Sequence, residues 1–279
     1  MLDKLDEYAD KMPQPEFIEL ANNLINSFFV AEEVPFITIS WQWVLEKTGE
    51  ALIAKNASEI IKLFFLVDYA QLNKNALNDV CSIVRQPIDE NSLREIQVEI
   101  DGFKELIREY LLYPQNNRTK LDYIINKSSF VLDKLKNLGI VGIGAFMLAS
   151  GLRLALLQER AKLDTTKWNN IKEQAIDYSK YAKIVTPKLI KLTVGSIDKE
   201  CKCSKRKSGH EGEKITEYEC RYFDGKDIHV FRGLSPNVVI ECNKHRLQMF
   251  YDVADKVNKV AVNPVRLASR KWLELAASI

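Results

Sequence analysis

A mainly α fold is predicted for this chain: a helical bundle of about six or seven helices around a central apolar helix, with a small β-containing C-terminal subdomain. Three observations predict it. Residues 138–157 read LGIVGIGAFMLASGLRLALL, with Arg153 the one charge in the run. Apolar residues three and four apart precede and follow that run, which is the helical period. After Ile197 the period becomes two, which is the strand period. A helix apolar on every side must be wrapped by other helices or lie in lipid.

Composition agrees. Of 279 residues, 46% are hydrophobic and 28% charged, enough for a sizeable core under a solvated surface. The 11 glycines and 8 prolines are few for this length and argue against disorder and an all-β chain. A formal net charge of +2 gives no global case for a nucleic-acid partner, and none is expected. The opening MLDKLDEYADK lacks a basic flank followed by an apolar core. The expectation is cytoplasmic synthesis without a signal peptide, and action at a target membrane after release.

The elements follow in order. Phe17, Leu20, Leu24 and Phe28 mark a helix within residues 15–30. Pro35 begins a second piece carrying Ile37, Trp41, Val44 and Leu45. Ser58 is placed to cap a third helix that runs to about Val84 and is ended by Pro87. Ser92 and Glu95 form a capping-box pattern ahead of Leu93, Ile96, Ile100, Phe103, Ile107 and Tyr110. After Pro114, the stripe Leu121, Ile124 or Ile125, Ser128, Val131 or Leu132, Leu135 and Leu138 predicts an antiparallel partner ended by Gly139. The central apolar helix is expected from about Ile140 to Leu163. Thr165 or Thr166 caps the next, carrying Trp168, Ile171, Ala175, Tyr178 and Ala182, with a kink at Pro187.

From Ile197, Tyr218, Cys220 and Tyr222 alternate with charged residues, and Asp224-Gly225 leads into Ile228–Phe231, a β-hairpin signal suited to a type I′ turn. Val238–Cys242 reads as a further strand, and Glu200–Ser204 as a strand pairing with that of Tyr218. Helices are expected over Arg246–Val262 and Val265–Ala277, broken at Asn263-Pro264. The domains are therefore 1–195, the bundle, and 196–279, a β-hairpin plus helix subdomain.

Cys201, Cys203, Cys220 and Cys242 cluster in the tail beside His210, His229 and His245. Four thiolates are the donor set of a structural Zn²⁺, the alternative being small apolar residues on one sheet face or disulfides formed after release. Cys-x-Cys is not the usual Cys-x₂-Cys knuckle, and five cysteines, an odd number, disfavour a complete disulfide framework. Cys81 reads as core. The basic run 202–207, KCSKRK, is a solvated hairpin segment or a contact for phosphates and anionic lipid heads. Gly142 and Gly144 half-match a dinucleotide fingerprint, but Met147 stands at the third glycine and no strand precedes it. No Gly-x-Ser-x-Gly, phosphate loop or His-Glu-x-x-His occurs. No enzyme and no cofactor are expected.

Gly142, Gly144, Ala145, Ala149, Gly151 and Ala155 permit close helix contact. Arg153 is costly at a bilayer centre, and its place toward the end of the run suits an interface or a pore lining. The stretch from about Ala54 to Leu192 resembles the N-terminal helical domain of the three-domain crystal δ-endotoxins, the Cry-type insecticidal toxins. The likeness runs through IREYLLYP (107–114), the amphipathic 119–138, FMLASGLRLALLQERA (146–161), Trp168 and the amphipathic 171–185. The resemblance implies a bundle whose central helix and the helix before it enter the bilayer as a hairpin and oligomerise into a pore. Where that family continues into two β domains that recognise receptors, this chain has only residues 196–279.

The expected function is that of a pore-forming, membrane-permeabilising, toxin-like protein. Ile140, Ile143, Phe146, Leu148, Ala149, Leu152, Leu154 and Leu157 would insert, and Arg153 would stand at the interface or line the pore. The expected partners are a lipid membrane, a self-oligomer within it, and a protein or glycan receptor. The alternative is a soluble helical scaffold that presents the β-hairpin as a binding surface.

Overall fold

Ser40 opens the first described helix. Its hydroxyl accepts the Trp43 N–H at 3.2 Å, satisfying a backbone donor that has no partner within the helix. The computed structural model describes residues 39–67, 69–85, 88–112, 118–208 and 215–279. The expected helix within 15–30, the first part of the segment begun by Pro35, with Ile37, and the stops at Pro87 and Pro114 lie outside them, whereas that segment's Trp41, Val44 and Leu45 fall in the first described helix.

Helix α1 (Trp41–Ile53) buries Trp41, Val44, Leu45, Thr48 and Leu52 on one face. The single helix expected from Ser58 to Val84 is two, α2 (Ala57–Leu66) and α3 (Tyr69–Val84). Ser58 lies inside α2, where Asn56 precedes the first turn. Helix α4 (Glu90–Leu112) buries the predicted Ile96, Ile100, Phe103, Ile107 and Tyr110. Its cap sits one turn earlier than expected: Asp89 Oδ2 accepts from the Ser92 N–H at 2.9 Å and from the Ser92 hydroxyl at 3.1 Å. The Asp89 carboxylate also meets the positive end of the helix dipole, which a serine hydroxyl does not.

Helix α5 (Arg118–Asn137) buries Leu121, Ile124, Ile125, Ser128, Val131, Leu132 and Leu135. Gly139 ends it in the left-handed region, φ +61°, where a Cβ would be strained. Helix α6 (Ile143–Leu163) follows, then a 3₁₀ turn (Thr165–Lys167) and α7 (Trp168–Gly195). Asp164, rather than a threonine, caps that turn, accepting from the Thr166 N–H at 3.2 Å and the Thr166 hydroxyl at 2.7 Å. Helix α7 continues through Pro187.

The small sheet is antiparallel in the order β1 (Lys202–Ser208), β2 (Ile215–Phe223), β3 (Ile228–Gly233). Asp224 Oδ1 accepts the N–H groups of Lys226 and Asp227, so the β2–β3 connection is built on an aspartate side chain rather than the two-residue turn expected. The strand expected over Val238–Cys242 is the start of helix α8 (Asn237–Val257). Val238 and Cys242 are both buried while Ile240 between them is 67% exposed, which fits a helix face and not the alternating face of a strand.

Helix α8 passes through a π-helical turn (Asn258–Val262) into α9 (Asn263–Ala277), so there is no break at Asn263-Pro264. Pro264 cannot donate to the Val260 carbonyl, four residues earlier. Gln42 Nε2 donates to it instead, at 3.1 Å. Val257, Ala261, Val262, Val265, Ala268, Trp272, Leu275 and Ala276 then enter the main core beside α1, α6 and α7. The bundle thus draws on both sides of residue 195, and a division at 195/196 assigns α9 away from the core that it fills. A second, smaller core joins Ile197, Cys220, Tyr222, Val238 and Cys242 beneath the sheet. The fold is mainly α with a small three-stranded sheet, as expected.

Candidate functional site

The central helix is wrapped on all sides. Ile143 through Leu152 and Leu154 through Gln158 are buried without interruption, and α1, α2, α3, α5, α7 and α9 pack around them. Phe146 meets Tyr178 edge-on at 5.8 Å and Tyr181 at 4.5 Å between ring centres. The small residues serve the close approach that they predicted. A Cβ at Gly144 would stand 3.2 Å from Ala76 Cβ, and one at Gly151 would stand 2.7 Å from Thr48 Cγ2. Ile143, Phe146, Leu148, Ala149, Leu152, Leu154 and Leu157 all lie in α6 and are at most 3% exposed.

The helix is offset from the apolar run, starting at Ile143 and ending at Leu163. Residues 138–142 form the turn between α5 and α6, so Ile140 is half-buried in that turn and not in the helix. Gly142 holds the turn against α5, where a Cβ would collide with the Leu135 carbonyl. At its other end α6 carries Glu159, Arg160 and Lys162. Among the described residues no helix is long and apolar enough to cross a membrane.

Arg153 stands mid-helix rather than near its end, and it is half-buried. Its Nη1 donates to the Ile125 carbonyl and to Ser128 Oγ, 2.7 Å away, both on α5. Beside it, the Tyr178 phenol is pushed up to about 12, because burial outweighs the neighbouring guanidinium. Two further polar groups tie the helix end. Gln158 Nε2 donates to the Leu52 carbonyl at 2.7 Å, and Arg160 Nε lies 2.6 Å from Asp122 Oδ1 of α5.

A second constellation, not foreseen as such, lies on the sheet. His229 Nε2 is 2.9 Å from Asp224 Oδ2, and Tyr222 Oη is 2.7 Å from His245 Nδ1. The Tyr222 and His229 rings stack at 4.9 Å, and the two imidazole centres are 5.2 Å apart. Burial alone would raise the Asp224 carboxyl. The His229 bond, the backbone N–H groups of Asp227 and Lys226, and the Arg85 charge outweigh it and hold the group well below the usual carboxylate range. Arg85, just past α3, also donates to the Asp224 carbonyl at 3.1 Å. The cluster joins sheet, α8 and bundle. The available signal was the cross-strand pairing of Tyr222 with His229 on either side of the turn. His210 lies outside the described residues.

The tail cysteines do not converge as four thiolates. Cys201 pairs with Cys242 and Cys203 with Cys220, which replaces the zinc alternative with two disulfides. Cys203 and Cys220 face each other across β1 and β2, and Cys201–Cys242 ties the sheet to α8. Cys81 is free and half-buried in α3. No group of three or more metal-binding side chains occurs among the described residues. Compared with family models, curated proteins and solved structures, the chain matches none.

Proposed function

We propose that this protein permeabilises membranes, with α5 and α6 entering lipid as a hairpin. One observation carries the reading: α6 is buried on every side, yet the partner that answers its one central charge is the adjacent helix of the same hairpin. Leaving the bundle exchanges one apolar surround for another at nearly equal cost per unit area. Arg153 would travel with Ser128 and the Ile125 carbonyl, so its charge would not enter lipid unpartnered. The polar face of α5, with Lys120, Lys127, Asp133 and Lys134, would face the aqueous side. Because the exchange is nearly balanced, receptor binding, proteolysis or pH would decide it. The order of helices resembles the N-terminal domain of the Cry-type crystal toxins, and pore formation by this hairpin, self-association in the membrane and a protein or glycan receptor are proposed on that likeness. Two disulfides suit action outside a reducing compartment.

The test is dye release from liposomes over a pH series and after limited proteolysis. A Gly144→Cys/Ala76→Cys pair, at a near-bonding Cβ separation, would pin α6 to α3. Release is expected from the wild type, with and without reductant. It should be absent from the oxidised double variant and return on reduction. Equal release from the pinned and unpinned forms would end the hairpin reading.

A further inference from the structure

The second half of α7 and the first half of α9 form a basic face, and we infer that it docks the protein on an anionic lipid surface. The inference extends the membrane reading above and rests on it. Between Tyr178 and Gly195 the sequence has no Asp or Glu, but it has Lys180, Lys183, Lys188 and Lys191. These four lysines are exposed, together with Ile184 and Pro187. At the helical rotation of 3.6 residues per turn they occupy one arc of α7. Arg266 and Arg270 of α9 come alongside, and a groove of about 420 Å³ between the two helices is lined by Lys183, Pro187, Arg266, Arg270 and Leu273. The ion pairs at its edges are Asp177 with Lys180, 3.5 Å apart, and Glu274, 3.6 Å from Arg270 and 3.5 Å from Lys271. A chain of formal net charge +2 thus has a local excess of cations on this face.

The chemistry favours a phosphate-bearing surface, and the details favour lipid over nucleic acid. Ile184 is 57% exposed among the lysines, and no aromatic ring on this face is exposed to stack on a base. An apolar side chain ringed by lysines suits the headgroup boundary, where the charges meet phosphates and the aliphatic group meets acyl chains. Position supports the same source. Tyr181 of α7 donates to the carbonyls of Lys136 and Gly139 at 3.2 and 3.4 Å. The basic face therefore begins beside the apolar α5–α6 turn, the part of the proposed hairpin that would reach lipid first.

The experiment is flotation with vesicles of phosphatidylcholine alone or with phosphatidylglycerol added, at low and high salt. The wild type should float with the anionic vesicles at low salt and lose them at high salt. Lys183→Glu/Arg266→Glu should cut the partition at least 20-fold, taking roughly fivefold per basic charge. Lys172→Glu, an exposed lysine near the start of α7, should change it little. Circular dichroism checks that each variant is folded. Equal partition of the face variant and the Lys172→Glu control overturns the inference, as does equal flotation with neutral vesicles. Capture by RNA or heparin with no vesicle flotation overturns it too. Dye release is scored separately. Charge-dependent flotation without release under any trigger leaves this docking face standing and removes the permeabilisation reading. Release that ignores the face variant does the reverse.

Discussion

Arg153 Nη1 lies 2.7 Å from Ser128 Oγ, and the Ser128 hydroxyl in turn donates to the Ile125 carbonyl at 2.7 Å. The one charge within the central apolar run is thus held by a network on the preceding helix. A double-mutant cycle with Arg153→Met and Ser128→Ala should give a favourable coupling of about 1 kcal/mol or more in urea unfolding. Additive single effects would show that the two side chains do not act together and that the Ile125 carbonyl alone answers the charge from α5.

The small residues of α6 make a second prediction. Gly151→Ala places a Cβ 2.7 Å from Thr48 Cγ2 and 3.9 Å from Trp272, so the Thr48 side chain or the helix that carries it must give way. The expected cost is about 1–3 kcal/mol. Gly102→Ala on α4 is the contrast. It is exposed, nothing lies within 4 Å of the added carbon, and the helix should gain about 0.5–1 kcal/mol. Thermal melts of the two variants should move in opposite directions. A tolerated Gly151→Ala would mean that α6 and α1 have slack between them.

These contacts also show what the sequence made legible. The stripe from Ile96 to Tyr110 and that from Leu121 to Leu135 were readable because each buried side chain obeys the period of a single helix. The wrapped α6 was readable because it lacks a polar face. Other features depend on partners distant in sequence. Val238 and Cys242 fit a strand or a helix in isolation, and only packing against Tyr222 and Cys220 selects the helix. Pro264 reads as a break because nothing nearby shows that Gln42, 222 residues away, supplies the missing donor. The clustering of His229, Asp224 and His245 depends on strand register and on the docking of α8, neither of which local spacing encodes. Arg153 was visible as the exception in its run, but its partners on α5 were not.

The disulfides should act on the sheet and not on the bundle. Cys203–Cys220 links adjacent strands, and Cys201–Cys242 links the sheet to α8. Replacing Cys201 and Cys242 by serine should cost about 2–4 kcal/mol in the unfolding of the sheet region. The far-UV helical signal should change little, because α1 to α7 and α9 share a separate core. Hydrogen exchange would localise the effect. Protection lost equally in α6 and in β2 would mean that the two cores unfold as one unit.

Asp224 gives the acid limb of stability a specific origin. Its carboxyl is held low in the folded protein by His229, the Asp227 and Lys226 N–H groups and Arg85, against the upward push of burial. A group whose folded value is depressed contributes stability above its unfolded value, near pH 4, and that contribution drains away as pH falls further. Asp224→Asn keeps the shape but cannot carry the charge, and it loses the charge-assisted bonds to His229 and Arg85. The variant should be less stable than the wild type at pH 7, and the gap should narrow below about pH 4 as the wild-type carboxyl takes up its proton. Urea midpoints measured from pH 7 down to pH 2 test this. A gap that stays constant through acid pH would show that the charge of Asp224 contributes nothing and that only the geometry of the β2–β3 turn matters.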